Sequence, residues 1–180
     1  MRTLLAFALA LAACVPEPAP VPVTPTPIAT APVVDDEPPL PKKKDKAQAP
    51  QAPALSLSGF DGQTVALAPG KVNLVTFWAS WCAPCAQSLP YYQRLADANP
   101  ELAVALISED DDDLPARAYV RALGVRAPAA LDEDHSIADA WQPPSMPTTY
   151  LVDKRGAVRF VHPGWDGETL DDEVRRLLRE

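Results

Sequence analysis

A Cys-x-x-Cys pair directly follows a continuous apolar run and opens a helix-like segment. The run Val72–Trp78 is typical of a mostly buried strand, and residues 83–98 are good helix formers interrupted at Pro90. Cys82 therefore falls near a helix N-terminus, where unpaired N–H groups and the helix dipole stabilise a thiolate. Cys85 follows on the same face, within reach to close a disulfide. The pair predicts thiol–disulfide chemistry, with an exposed Cys82 as the attacking thiol.

Half of a zinc site and a structural disulfide are the alternatives for this pair. A structural zinc ion needs about four ligands. Outside the motif the chain offers only Cys14, His135 and His162. These ligands are too few and too scattered, so we expect redox use and no metal.

Four landmarks occur in the order and spacing of a known superfamily. They are Trp-Cys-x-Pro-Cys at 81–85, Pro90, Ser-Met-Pro-Thr-Thr at 145–149, and an Asp-Lys-Arg-Gly turn at 153–156. Over about residues 54–180 the chain resembles the thioredoxin superfamily, and specifically its TlpA/ResA-like branch of envelope thiol–disulfide oxidoreductases.

The resemblance implies an α/β, thioredoxin-like fold in which helices flank a mixed β-sheet. An N-terminal β-hairpin and a TlpA-like αβ insertion are expected additions. The sequence pattern places strands at 55–57, 64–67, 72–78, 102–107, 129–131, 148–152 and 157–161, with later helices near 114–123, 135–141 and 168–178.

Site residues follow from the same resemblance. Cys82 and Cys85 are the expected catalytic residues and redox disulfide, and Met146–Pro147 is expected to be a cis peptide. The residues expected to surround Cys82 and to contact substrate are Trp81, Ala83, Pro84, Met146, Pro147, Pro163, Gly164 and Trp165. The expected partners are client proteins that contain disulfides or thiols, and no cofactor is implied.

Two positions depart from the superfamily pattern. Thr76 stands where thioredoxins carry a buried acid, six residues before the first cysteine. Ser88 stands where many TlpA-like proteins carry a glutamate, three residues after the second cysteine. Both are expected to support the active site, and deprotonation of Cys85 would then depend on water or on these two hydroxyls.

The residues between the cysteines indicate the direction of the reaction. Strong oxidants of this fold carry a histidine there, which stabilises the reduced thiolate. Ala83 and Pro84 favour a reductant instead, and a reductant in an oxidising compartment requires a membrane electron donor. An oxidase or isomerase, and a non-catalytic metal-binding or interaction module, stay open as alternatives. Cytochrome c maturation and general thiol repair are both open as client pathways.

Residues 1–14 resemble a lipoprotein signal peptide. An apolar run of secretory length follows Arg2, and Leu-Ala-Ala-Cys at 11–14 resembles a lipobox. Lipid on Cys14 would anchor the protein in the cell envelope facing the periplasm, and Val15 favours the outer membrane. Ordinary cleavage after residues 10–12 is the alternative, but it would leave an odd free thiol outside the cytoplasm.

Residues 15–53 are expected to form a disordered, Pro-rich linker. They hold 12 of the 22 prolines and no glycine. In polyproline II form such a linker reaches on the order of 120 Å. The basic cluster at 42–46 is more typical of a solubilising segment than of a binding site. Residues 54–180 remain as one domain, expected to be monomeric.

The domain is acidic, with 11 basic and 19 acidic residues between positions 54 and 180. This charge argues against nucleic-acid partners. The run Glu109–Asp113 lacks the alternating spacing of a calcium loop and predicts a solvated loop followed by a helix cap. Both histidines are expected in surface or loop positions.

Overall fold

The computed structural model of the protein describes residues 49–180. The predicted signal peptide, the lipidation site Cys14 and residues 15–48 of the predicted linker lie outside the described residues. No helix within the described part is long and apolar enough to cross a membrane.

Eleven elements follow one another along the described chain. In order they are β1 (Ser56–Ser58), β2 (Thr64–Ala66), β3 (Val72–Trp78), α1 (Cys85–Ala98), β4 (Leu102–Ser108), α2 (Asp113–Ala122), β5 (Ala129–Leu131), α3 (Ser136–Trp141), β6 (Thr148–Val152), β7 (Val158–Pro163) and α4 (Gly167–Leu178). Each predicted strand and helix is present, with its ends at most two residues from the predicted positions.

The main sheet has five strands in the order β5-β4-β3-β6-β7. Strands β3, β4 and β5 are parallel, whereas β6 runs antiparallel to β3 and β7 antiparallel to β6. Strands β1 and β2 form a separate antiparallel hairpin. The predicted mixed sheet and N-terminal hairpin are therefore confirmed.

Alternate residues of β3 enter two different cores, because successive side chains of a strand point to opposite faces. Leu74 and Trp78 pack with α1, α2 and α4 in a core that also contains both cysteines of the Cys-x-x-Cys pair. Val75 and Phe77 pack with the hairpin and α3 in the second core. All seven residues of β3 are buried, as a strand covered on both faces requires.

Helix α1 continues through Pro90, where the sequence predicted an interruption. Proline removes the hydrogen bond to the carbonyl of the residue four positions earlier. That residue is Ala86, which is exposed, so the loss falls on the solvent side of the helix. The buried residues Cys85, Ser88, Leu89 and Tyr92 keep helical spacing and hold the opposite side against the core.

The folded part begins before residue 54, the start expected from the sequence. Val158 N–H donates to the Pro50 carbonyl at 2.8 Å, and Ala52 N–H donates to the Gly156 carbonyl at 2.8 Å. Gln51 forms a β-bridge with Ala157. The last residues of the predicted linker are therefore paired backbone beside the start of β7.

Candidate active site

The two cysteines form a disulfide with an S–S distance of 2.04 Å and a Cα–Cα distance of 5.4 Å. Cys85 is the first residue of α1, and Cys82 lies in the preceding turn, where its N–H donates to the Ala79 carbonyl at 3.1 Å. The expected exposure of Cys82 is wrong for this oxidised state. Cys82 is 4 % exposed and Cys85 0 %, because the disulfide packs into the core beneath α1.

The N-terminus of α1 is free of acidic side chains in its first turn and has no side-chain cap. Its partial positive charge is therefore available to a thiolate formed at Cys82. This arrangement supports the predicted order of reaction, in which the cysteine before the helix attacks and the first helical cysteine resolves.

Buried hydroxyl groups occupy the region in which thioredoxins carry an acid. Thr76 on β3 pairs with Thr149 on β6, and Thr149 Oγ1 donates to Thr76 Oγ1 at 3.1 Å. Thr76 Oγ1 in turn donates to the Thr148 carbonyl at 3.3 Å. The Tyr92 hydroxyl lies 2.8 Å from Thr149 Oγ1. Since Thr149 has already directed its single proton at Thr76, Tyr92 is the donor.

We call Tyr92, Thr149 and Thr76 the hydroxyl chain. The chain ends on a backbone carbonyl, which accepts a hydrogen bond but serves as no base for a thiol. Burial raises the pKa of the Tyr92 phenol, and hydrogen bonds with Thr149, Ser88 and Thr76 oppose that rise. The hydroxyl chain therefore contains no group that removes a proton from a thiol.

Ser88 lies one helical turn after Cys85 and is fully buried. Its Oγ donates to the Cys85 carbonyl at 3.5 Å, the long limit of a hydrogen bond. The two predicted support residues, Thr76 and Ser88, thus both lie beside the Tyr92 hydroxyl in one buried polar region. Sequence reasoning missed Tyr92, whose spacing along α1 is that of an ordinary core residue.

The loop before β6 has the predicted cis peptide between Met146 and Pro147. Thr148 Oγ1 donates to the Ser145 carbonyl at 2.7 Å across this loop. Gly164 N–H donates to the Pro147 carbonyl at 2.7 Å, and Gly164 has a φ of 82°, which suits glycine. The structure therefore brings together Pro147 and Gly164, two residues of the predicted substrate surface.

The remaining predicted contact residues differ in accessibility. Trp81 is 69 % exposed, and Ala83, Pro84 and Pro163 are also exposed. Met146 is half-buried against the core that holds the cysteines. These residues are accessible to a client, but their role in binding stays a prediction.

Trp165 makes the contacts of a packing residue. Its ring lies edge-on to Tyr91 at a centroid distance of 5.0 Å and to Tyr92 at 5.6 Å. The side chain is half-buried against the core beneath α1. Sequence reasoning preferred a substrate contact here, and that role stays a prediction beside an evident packing role.

The acidic run is not the fully solvated loop that the sequence predicted. Asp112 caps α2 as expected, accepting from Leu114 N–H at 3.0 Å. Asp110, however, is 4 % exposed and accepts hydrogen bonds from Ser80 and Ser108. Trp78 and Ser108 lie side by side at the ends of parallel strands β3 and β4. Ser80, just after β3, and Ser108, at the end of β4, were the sequence signal that could have shown Asp110 to be buried between them.

Glu109 is also more buried than predicted, with 7 % of its side chain exposed. Burial raises its pKa to about 7, although the hydrogen bond from His135 Nδ1 at 2.8 Å opposes the rise. His135 lies in a loop as expected, but His162 lies on β7, where it contacts Glu173 with 16 % of its side chain exposed. Among the described residues no three acidic, histidine or cysteine side chains form a metal-binding group.

A family model described as AhpC/TSA family matches residues 49–161. The chain belongs to this family. It is 34 % identical over 120 residues to the thioredoxin-like protein YneN of Bacillus subtilis, covering 63 % of this chain and 70 % of that protein. It is 31 % identical over 120 residues to the thiol-disulfide oxidoreductase ResA of Bacillus thuringiensis, covering 64 % and 69 %.

Solved structures share the fold. A crystal structure from Chlorobium tepidum, described as a candidate thiol:disulfide interchange protein DsbE, superimposes with a TM-score of 0.69 at 27 % identity, covering 72 % of this chain and 96 % of that one. StoA from Bacillus subtilis superimposes with a TM-score of 0.60 at 20 % identity, covering 67 % and 96 %. Together with the Cys82–Cys85 pair, the relatives identify this protein as a thiol–disulfide oxidoreductase of thioredoxin-like fold.

Proposed function

We propose that the protein is a membrane-anchored, extracytoplasmic thiol–disulfide oxidoreductase that reduces client disulfides. The observation that carries the direction is the uncharged pair Ala83–Pro84 between the cysteines. A cationic group at these positions would stabilise the reduced thiolate and make the protein an oxidant. Without such a group, we expect a reduction potential nearer thioredoxin's, about −270 mV, than DsbA's, about −120 mV.

The catalytic cycle uses the two cysteines in sequence. The Cys82 thiolate attacks a client disulfide, forms a mixed disulfide and releases one client thiol. The Cys85 thiolate then attacks Cys82 Sγ, which closes the internal disulfide and releases the second client thiol. Two electrons pass from the dithiol to the client, and the two protons released by the cysteines balance those taken up by the client sulfurs.

The next turnover needs two electrons from outside the protein. Disulfides persist in extracytoplasmic compartments, so the Cys82–Cys85 disulfide needs a dedicated dithiol donor there. We propose a membrane protein as that donor. Trp81, which directly precedes Cys82, and the Met146–Pro147 loop are the proposed contacts for client and donor.

The proposed location rests on residues 1–14. A short apolar run that ends in Leu-Ala-Ala-Cys supports secretion and lipidation of Cys14. Val15 supports sorting to an outer membrane, and residues 15–49 would then separate the monomeric domain from the lipid.

Two experiments test the proposal. Equilibration with glutathione measures the reduction potential of Cys82–Cys85, and a value near DsbA's would contradict the reducing direction. Mass spectrometry of the mature N-terminus measures lipidation, with Cys14→Ser as the matched control. An unmodified wild-type protein that stays in the soluble fraction would contradict the anchor without affecting the redox proposal.

A further inference from the structure

The buried carboxylate of Asp110 holds the segment that leads into Cys82. Ser80 N–H donates to both carboxylate oxygens, at 3.1 and 3.0 Å, and Ser80 Oγ donates to Oδ1 at 2.6 Å. Ser108 Oγ donates to Oδ2 at 2.7 Å. Ser80 is two residues before Cys82, so a negatively charged group from the β4–α2 loop lies beside the active-site turn.

A second contact links the same region to Cys82. Tyr119 of α2 stacks on Trp78 with a centroid distance of 5.7 Å, and its hydroxyl donates to the Cys82 carbonyl at 3.5 Å. Burial raises the pKa of Tyr119, and the charge of Asp110 raises it further. The field of Asp110 therefore reaches a hydroxyl group that contacts Cys82.

A carboxylate beside a thiol disfavours the thiolate, because like charges repel in surroundings of low polarity. It thereby destabilises the reduced, thiolate-bearing form relative to the disulfide, which makes a dithiol a stronger reductant. Hydrogen bonds from Ser80 and Ser108 compensate this charge in part. The strength of the effect should therefore depend on both the carboxylate and its donors.

We propose that Asp110 is a positioning residue that lowers the thiolate fraction of Cys82 and shifts the Cys82–Cys85 couple toward the reducing side. This inference rests on the proposed function, since it concerns the potential of the same dithiol. Asp110, the buried residue of the acidic run, then tunes the redox couple, a role that the predicted solvated loop and helix cap do not include.

The test measures the exchange equilibrium of the full chain with glutathione at neutral pH. In this reaction the Cys82–Cys85 dithiol loses two electrons and two protons, and one glutathione disulfide is reduced to two thiols. The second readout is the alkylation rate of Cys82 in the reduced protein. The variants are Asp110→Asn, Ser80→Ala and Asp111→Asn, the last removing the same charge from an exposed neighbour.

Asp110→Asn is expected to speed Cys82 alkylation about threefold and to move the equilibrium toward the reduced protein by a similar factor. Ser80→Ala keeps the carboxylate but removes one of its donors, so alkylation should slow and the equilibrium should move the opposite way. Asp111→Asn should leave both readouts unchanged.

Opposite shifts in Asp110→Asn and Ser80→Ala distinguish an electrostatic effect from a loss of packing. Should Asp110→Asn fail to fold, the direction of the Ser80→Ala shift still decides the matter. Unchanged values, shifts in one common direction, or an equal effect of Asp111→Asn would overturn the inference. A wild-type protein that does not exchange with glutathione at all would instead overturn the proposed function.

Discussion

Thr149 Oγ1 donates a hydrogen bond to Thr76 Oγ1 at 3.1 Å, across the antiparallel pairing of β6 and β3. This bond places a neutral, fully hydrogen-bonded pair at a position where thioredoxins carry a carboxyl group. The hydroxyls at this position are therefore already engaged with one another. Two of the predictions below follow from this arrangement.

Cys82 is expected to be the attacking thiol. It retains 4 % exposure in the disulfide while Cys85 has none, and it precedes a helix N-terminus. Alkylation of the reduced protein at mildly acidic pH should label Cys82 at least about tenfold faster, because a low thiol pKa increases the thiolate fraction. Peptide mass spectrometry measures the two rates; equal labelling, or faster labelling of Cys85, would contradict the assignment.

Substitution of each cysteine should have a different consequence. Cys82→Ser should abolish client reduction, because no mixed disulfide forms. Cys85→Ser should accumulate mixed disulfides between Cys82 and clients, visible on non-reducing gels. If Cys82→Ser instead trapped the clients, the roles of the two residues would be exchanged.

Ser88→Glu is expected to speed resolution of a preformed mixed disulfide at Cys82. Ser88 is buried one turn after Cys85, where a carboxylate could take the proton of that thiol. Stopped-flow release of the client measures the rate near neutral pH. Ser88→Gln is the matched control, since it adds similar volume without a base. An equal rate in both folded variants would mean that another group already serves as the base.

Loss of hydroxyls from the hydroxyl chain should reduce stability in a defined order. Tyr92→Phe removes one donor and leaves Thr149 bonded to Thr76, at a cost of about 1 kcal/mol. Thr149→Val removes the central hydroxyl and affects both of its neighbours, at a cost of about 1–3 kcal/mol. Urea unfolding measures both free energies. A smaller loss in Thr149→Val than in Tyr92→Phe would contradict the central position assigned to Thr149 in the chain.

Thr76→Asp should lower the free energy of unfolding more than Thr76→Val does. An aspartate at this fully buried position must either carry an unpaired charge or stay protonated, and both are unfavourable. Because the carboxylate is disfavoured in the folded state, the loss should grow as the pH rises from 5 to 8. Urea unfolding across this pH range measures the two losses. Equal losses in both variants at every pH would exclude burial of the carboxyl group as the cause.

Stability should fall between about pH 4.5 and 7 because of Glu109. Burial raises the pKa of Glu109 from 4.5 to about 7, so the folded state holds a proton that the unfolded state has released. This favourable contribution is present at low pH and is lost as the pH rises through 7. A shift of this size corresponds to at most about 3 kcal/mol.

His135 acts in the same direction at higher pH. Its hydrogen bond with Glu109 raises its pKa above the ordinary value of 6.5, so its contribution to stability is lost only as the pH rises above that value. Glu109→Gln should therefore flatten the fall in stability between pH 5 and pH 7. Urea unfolding at these two pH values measures the difference. An equal fall in the variant and the wild type would assign the pH dependence to other groups.

The local pattern of residues was enough to predict the elements around the motif. The mostly apolar run Val72–Trp78 predicts a strand covered on both faces, and the spacing of Cys85, Leu89 and Tyr92 predicts a helix with one buried side. The Cys-x-x-Cys motif and the Met146–Pro147 loop are likewise each recognised from a few consecutive residues. The sequence therefore determined the cysteine pair, and through its resemblance to the thioredoxin superfamily it also predicted the fold class and the cis-proline loop.

Tertiary structure decided which polar residues are buried and what they contact. Asp110 and Asp112 have the same side chain two positions apart, yet one lies buried at the joined ends of β3 and β4 and the other caps a helix at the surface. The hydroxyl chain joins three elements that are distant in the sequence, and only the β3–β6 register brings Thr76 against Thr149. Such contacts depend on long-range packing, because the energy of a polar side chain is set by the partners and the exclusion of water that the assembled fold provides.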